Sequence, residues 1–158
     1  MSSPARRVLA LFVEPQEREP SDQSAPLDVG VTGLSRGCGT STVARGLALE
    51  LPGAQVADAV APGPAGVLVV VAGTAGVPVL ARMVTERLGE HRPHVVLVAN
   101  RPDDPHEWEQ AGAVCLPQSR LGVLLVSRGR RPLGPFGTAL RNLAQAVREE
   151  GLAAAACD

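Results

Sequence analysis

Leu27-Asp-Val-Gly-Val-Thr-Gly-Leu-Ser-Arg-Gly-Cys-Gly-Thr-Ser-Thr-Val-Ala-Arg-Gly-Leu-Ala-Leu-Glu-Leu51 reads as three pieces in order. LDVGVTG (27–33) is a short apolar run suited to a strand, Gly33 to Thr42 is a glycine-rich loop, and STVARGLALEL (41–51) has the composition of a helix. In a strand, glycine turn and helix, the loop's backbone N–H groups and the positive end of the helix converge on one spot. That is a cradle for an anion, phosphate above all.

Outward from this unit the same alternation continues. AQVADAV (54–60) and GVLVVVAG (66–73) read as strands, VPVLARMVTERLGE (77–90) as a helix, HVVLVAN (94–100) as a strand, PHEWEQAG (105–112) as a short helix and AVCLP (113–117) as a strand. GTALRNLAQAVREE (137–150) reads as a closing helix. GVLVVVA and HVVLVA are continuous runs rather than alternating ones, so both faces of those strands should be covered, as in parallel sheets. The spacing of Val77, Leu80, Val84 and Leu88 predicts an amphipathic helix lying on the sheet. The fold expected is α/β, a doubly wound, mostly parallel sheet flanked by helices.

Three segments follow from composition: residues 1–26, with a strand at 8–13 (VLALFV) and a mobile Pro/Glu/Ser/Asp-rich connection; an α/β domain over 27–150; and a flexible tail over 151–158. The 158 residues suit one core. Fifteen basic against sixteen acidic side chains give a net charge of -1, so no overall basic field favours nucleic acid or an anionic membrane. The apolar run at 8–13 is too short for a signal-peptide core, and no stretch reaches the roughly 18 apolar residues of a membrane span. Three cysteines (Cys38, Cys115, Cys157) without CxxC spacing suggest neither a disulfide framework nor a zinc site. A cytoplasmic protein is expected. Every basic residue is Arg, and Lys, Ile and Tyr do not occur, as in proteins of a high-GC bacterium.

Ser35-Arg36-Gly37-Cys38-Gly39-Thr40-Ser41-Thr42 resembles the deviant loop KGGxGKTT of the ParA/MinD family of P-loop ATPases. The two lysines of that loop stand here as Ser35 and Thr40. The resemblance implies phosphate contact by Gly33, Gly37, Cys38, Gly39, Thr40, Ser41 and Thr42, with a nucleotide (ATP/ADP or GTP/GDP) and Mg as ligands. Loss of both lysines puts hydrolysis in doubt more than binding. Arg36 is a candidate replacement, although Arg and Lys differ in shape and reach. The alternative for the loop is a turn rich in Gly, Ser and Thr, with Thr40 as N-cap.

The resemblance extends less strongly over 27–148. Asp58 falls where the family carries an aspartate at a strand end, so Ser41 and Asp58 are the metal candidates; a turn aspartate is the alternative. No acidic residue lies between Asp58 and Glu86, so the family's Walker B strand is missing from the pattern. Asn100-Arg101-Pro102-Asp103 is similar to the family's purine-contacting segment, which makes Asn100 and Arg101 candidates for the base; a turn at Asn100 and a helix cap at Asp103 are the alternative. If the chain is an enzyme, Arg36 and Asp58 are its candidate catalytic residues. Cys38 fails the phosphatase spacing, in which Arg follows after five intervening residues: that position is Ala44, and Arg45 comes one position late.

Arg128, Arg130 and Arg131 read as a solvated basic turn, His91 and His94 as surface histidines, and Trp108 as the anchor of a short helix. The whole implies a partner-binding or positioning protein with a retained, non-hydrolysed nucleotide. Partners of the family include secretion, pilus and cell-organisation systems, and its working form is a homodimer. A slow magnesium-dependent ATPase or GTPase and an interaction domain without ligand are the alternatives. GLAAAACD lacks the basic face and bulky apolar residues of a membrane-anchoring helix.

Overall fold

A computed structural model describes residues 26–157; the strand expected at 8–13 lies outside them. Five parallel strands form one sheet: β1 (Asp28–Gly33), β2 (Gln55–Asp58), β3 (Val67–Ala72), β4 (Val95–Asn100) and β5 (Val114–Leu116). Their order is β2-β1-β3-β4-β5. Among the described residues the helices are α1 (Thr40–Glu50), α2 (Pro78–Gly89), α3 (Pro105–Gln110), α4 (Arg120–Ser127) and α5 (Gly134–Ala156). The doubly wound α/β fold is thus the fold of the protein.

The continuous apolar strands work as their composition requires. Every residue of β3 is buried: Val67, Val69 and Val71 face a core with α1, α4 and α5, while Leu68, Val70 and Ala72 face a second core with α2 and α3. β4 divides in the same way, Val96 and Val98 against Leu97 and Ala99. The first core is the larger, and in it Leu140 of α5 seats against Gly46 of α1.

After α1 the chain returns to one side of β1, and after β2 it crosses to the other. The C-terminal ends of β1 and β3 therefore border the crevice where the winding reverses, the place where open α/β sheets bind ligands. The glycine loop begins at that end of β1.

Several expectations need correction. α5 starts three residues before the expected Gly137 and continues to Ala156, with Ala154 buried and Gly151 packed on Leu27, so 151–156 is helix rather than a flexible tail. α4 was not foreseen: Ser119 caps it by accepting from Gly122 N at 2.9 Å. In α2 the expected sheet-facing positions Val77, Leu80 and Val84 are exposed, and Ala81 with the partly buried Leu88 makes the contact.

The surface readings divide as well. His94 is buried, with Nδ1 3.2 Å from Glu150 of α5, whereas His91 is exposed. Arg131 leaves the basic turn to donate twice to the Leu49 carbonyl, at 3.2 and 3.1 Å, tying that turn to the end of α1. Trp108 is buried and anchors α3, as expected. α3 is capped by Asp104, accepting from His106 N at 3.0 Å, and not by Asp103. Among the described residues, no helix is long and apolar enough to cross a membrane.

Candidate functional site

The loop from Gly33 to Gly39 leaves β1 and is held against the ends of β3 and β4. Leu34 N donates to the Val71 carbonyl at 2.9 Å, carrying the β1 to β3 pairing one residue into the loop. Cys38 is buried, its Sγ against Gly33 and its Cα against Gly73, where a Cβ would stand 3.0 Å away. A thiol wedged in this way serves packing and offers no exposed nucleophile.

Asn100, at the end of β4 and itself buried, donates from Nδ2 to the Cys38 carbonyl at 2.9 Å. Arg101 donates from Nη2 to the Gly37 carbonyl at 3.3 Å, and its own carbonyl accepts from Thr74 Oγ1 at 3.0 Å. Two loop carbonyls are thereby turned toward β4 and satisfied by protein. Asn100 is no turn residue: it closes the strand and fixes the loop.

Replacing Asn100 by alanine leaves the Cys38 carbonyl without its donor in a buried place, which costs about 1–3 kcal/mol. The expected fall in melting temperature is roughly 3–10 °C for a chain of this size, read by far-UV circular dichroism.

Backbone shape completes the cradle. Gly37 and Gly39 have φ of 72° and 95°. Gly39, rather than Thr40, is the N-cap of α1, and it has no side chain to satisfy the first-turn amides. Thr40, Ser41 and Thr42 form that first turn, whose N–H groups have no partner within the helix. Uncapped amides and the positive helix end favour an anion here. Arg36 lies exposed on the loop, and no lysine exists to reach inward.

β2 is hydrogen-bonded directly to β1, and its last residue is Asp58. Ala59, with φ 58°, turns the chain away at once. Asp58 Oδ2 accepts from Ser41 Oγ at 2.6 Å, so the two metal candidates named from sequence sit together beside the first turn of α1. Among the described residues no group of three His, Cys, Asp or Glu side chains converges. A magnesium ion needs few protein ligands when phosphates and waters complete its octahedron, and a hydroxyl with one carboxylate fits that requirement.

Space is divided by the start of α1. On one side a cavity of about 310 Å³ is lined by Ser41, Ala44, Arg45, Val56 and Asp58. On the other a cavity of about 140 Å³ lies between Gly39, Thr42, Asn100, Pro117, Val123 and Phe136, with Arg101 on its wall. The second is below the roughly 300 Å³ of a small-molecule pocket. Thr74, Ser119, Val123 and Phe136 were not anticipated as neighbours of the loop; of these only Ser119 carries a sequence signal, as a helix cap.

The remaining cysteines take no part. Burial, assisted by Glu109, raises the Cys115 thiol above its ordinary range, and Cys157 is exposed beyond α5. No protein-family model matches the chain, and comparison with curated proteins and with solved structures likewise finds no match.

Proposed function

We propose that this protein binds a nucleoside di- or triphosphate through its glycine loop, hydrolyses it poorly or not at all, and acts through protein partners in the manner of a reduced ParA/MinD-like domain. The observation that carries this reading is the Ser41 to Asp58 hydrogen bond of 2.6 Å beside the uncapped start of α1. A hydroxyl and a carboxylate are joined there next to amides that have no other partner, which suits a phosphate with its metal.

Thr40, Ser41 and Thr42 would supply N–H groups to phosphate oxygens. Ser41 and Asp58 would hold a hydrated magnesium, which when bound neutralises phosphate charge. Asn100 and Arg101 hold the loop in the receptive shape, and insertion of a base requires the exposed Arg101 side chain to leave the wall of the smaller cavity. Efficient turnover lacks a lysine at the loop, where Arg36 is exposed and Arg45 lines the cavity beside Ser41 and Asp58. Nucleotide then acts as a stabilising or regulatory ligand, with a secretion, pilus or cell-organisation assembly as the class of partner implied by the resemblance.

The Ser41 and Asp58 pair also favours a second reading, a slow magnesium-dependent hydrolase with Arg36 replacing lysine. Phosphate release from ATP and GTP separates the two. The binding reading predicts background release that is the same in wild type, Arg36→Ala and Asp58→Ala, whereas a magnesium-dependent rate lost in both variants establishes the hydrolase. Ser41→Ala should weaken magnesium-dependent nucleotide binding roughly tenfold, about 1.4 kcal/mol, by removing one ligand. Its checking measurement is isothermal titration with and without magnesium.

A further inference from the structure

The face of α2 turned away from the sheet carries an apolar stripe beside the exposed Arg82 and Glu86 ion pair. At 100° per residue, Val79, Met83, Leu80 and Val84 share one arc of about 140° with Arg87 among them, and Leu88, Ala81 and Thr85 follow on the side toward the sheet. Val79, Leu80 and Met83 are 67, 58 and 56% exposed among the described residues. With Val77 before the helix, the stripe leaves on the order of 400 Å² of apolar surface in water, a patch size that on monomers is often functional. Along one flank runs a groove of about 520 Å³ between α2 and α3, walled by Val79, Met83 and Glu107.

We propose that this face is the interface of a symmetric dimer, a second copy of the chain packing its α2 antiparallel against the first. Two observations favour a second copy over an unrelated protein. The first is area: two such stripes and their flanking grooves bury roughly 1,000 Å², the threshold of a specific interface, without help from any other surface. The second is charge. Arg87 lies at the C-terminal end of the stripe, Glu107 borders the groove that begins at Val77 and Pro78, and neither forms an ion pair among the described residues. An antiparallel two-fold pairing sets each copy's Arg87 at the Glu107 end of the other, so the same contact is made twice.

Sedimentation equilibrium of the full chain without nucleotide, from 2 to 200 µM by choice of loading, tests this. A dimer is expected, with Met83→Glu raising its dissociation constant at least about tenfold while the far-UV circular dichroism is unchanged, as an exposed site allows. Arg87→Glu should weaken the dimer, and Arg87→Glu combined with Glu107→Arg should restore it. A monomer throughout that range overturns the proposal, as does a dimer indifferent to Met83→Glu.

Discussion

Gly39→Val is expected to lower stability by about 3 kcal/mol and to abolish the response to nucleotide. Two independent conflicts act at this position. Its φ of 95° lies outside the left-handed well that other residues tolerate, and valine, branched at Cβ, is among the least able to enter it. The added Cβ also meets the Asn100 amide nitrogen, the group that holds the Cys38 carbonyl. Relief of the second conflict requires Asn100 to move, which releases the loop from β4.

Gly37→Ala is the control. Gly37 has φ of 72° and open space at its Cβ, so only backbone strain of about 1 kcal/mol is expected, and Asn100 keeps its bond. Urea denaturation of the two variants checks the difference. Equal losses at both positions would show that the contact between Gly39 and Asn100 contributes nothing.

Leu140→Ala should cost about 3–4 kcal/mol and leave nucleotide recognition intact. Leu140 is fully buried at the centre of the larger core, where its methyl groups fill the space left open by Gly46 of α1. Truncation opens a cavity between two helices that cannot collapse without shifting α1. The melting temperature should fall by roughly 6–15 °C. Because Leu140 lines neither cavity beside the loop, the rise in melting temperature caused by saturating nucleotide should match that of wild type. A variant that melted as wild type would contradict the packing described for α1 and α5.

The parts of the fold that were legible are those where local and global signals agree. β3 and β4 announce themselves as continuous apolar runs because both faces are covered, and the loop between β1 and α1 carries Gly37 and Gly39 where positive φ occurs. α4 has no distinguishing pattern, because LGVLLV is equally a strand or a helix by composition and only Ser119 in front of it signals a cap. The periodicity of 77–90 locates α2, but Val77, Leu80 and Val84 of its apolar stripe face solvent. Periodicity reveals that a helix has an apolar side, whereas the small residues Ala81 and Thr85 decide which side approaches the sheet.

The candidate site divides along the same line. Gly33, Gly37, Gly39 and the run Thr40 to Thr42 lie in one continuous stretch, so sequence sufficed to gather them. Ser41 and Asp58 are 17 positions apart and meet because β2 pairs with β1. Thr74, Val123 and Phe136 reach the loop only through the return of distant elements, for which no local pattern exists. The role of Asn100 changed most: the side chain matched to a purine contact spends its amide on the Cys38 carbonyl.

The most direct test of the account is a thermal-melting titration of the full chain with ATP, ADP, GTP and GDP, with and without magnesium. A ligand of the native state alone adds about 2.7 kcal/mol at a hundredfold excess over its dissociation constant. For a chain of this size that is a rise of roughly 5–10 °C. The account predicts such a rise with at least one of the four nucleotides, larger with magnesium and absent in Gly39→Val. An unchanged melting temperature at millimolar concentration of all four would contradict it and leave the loop as a structural corner of the fold.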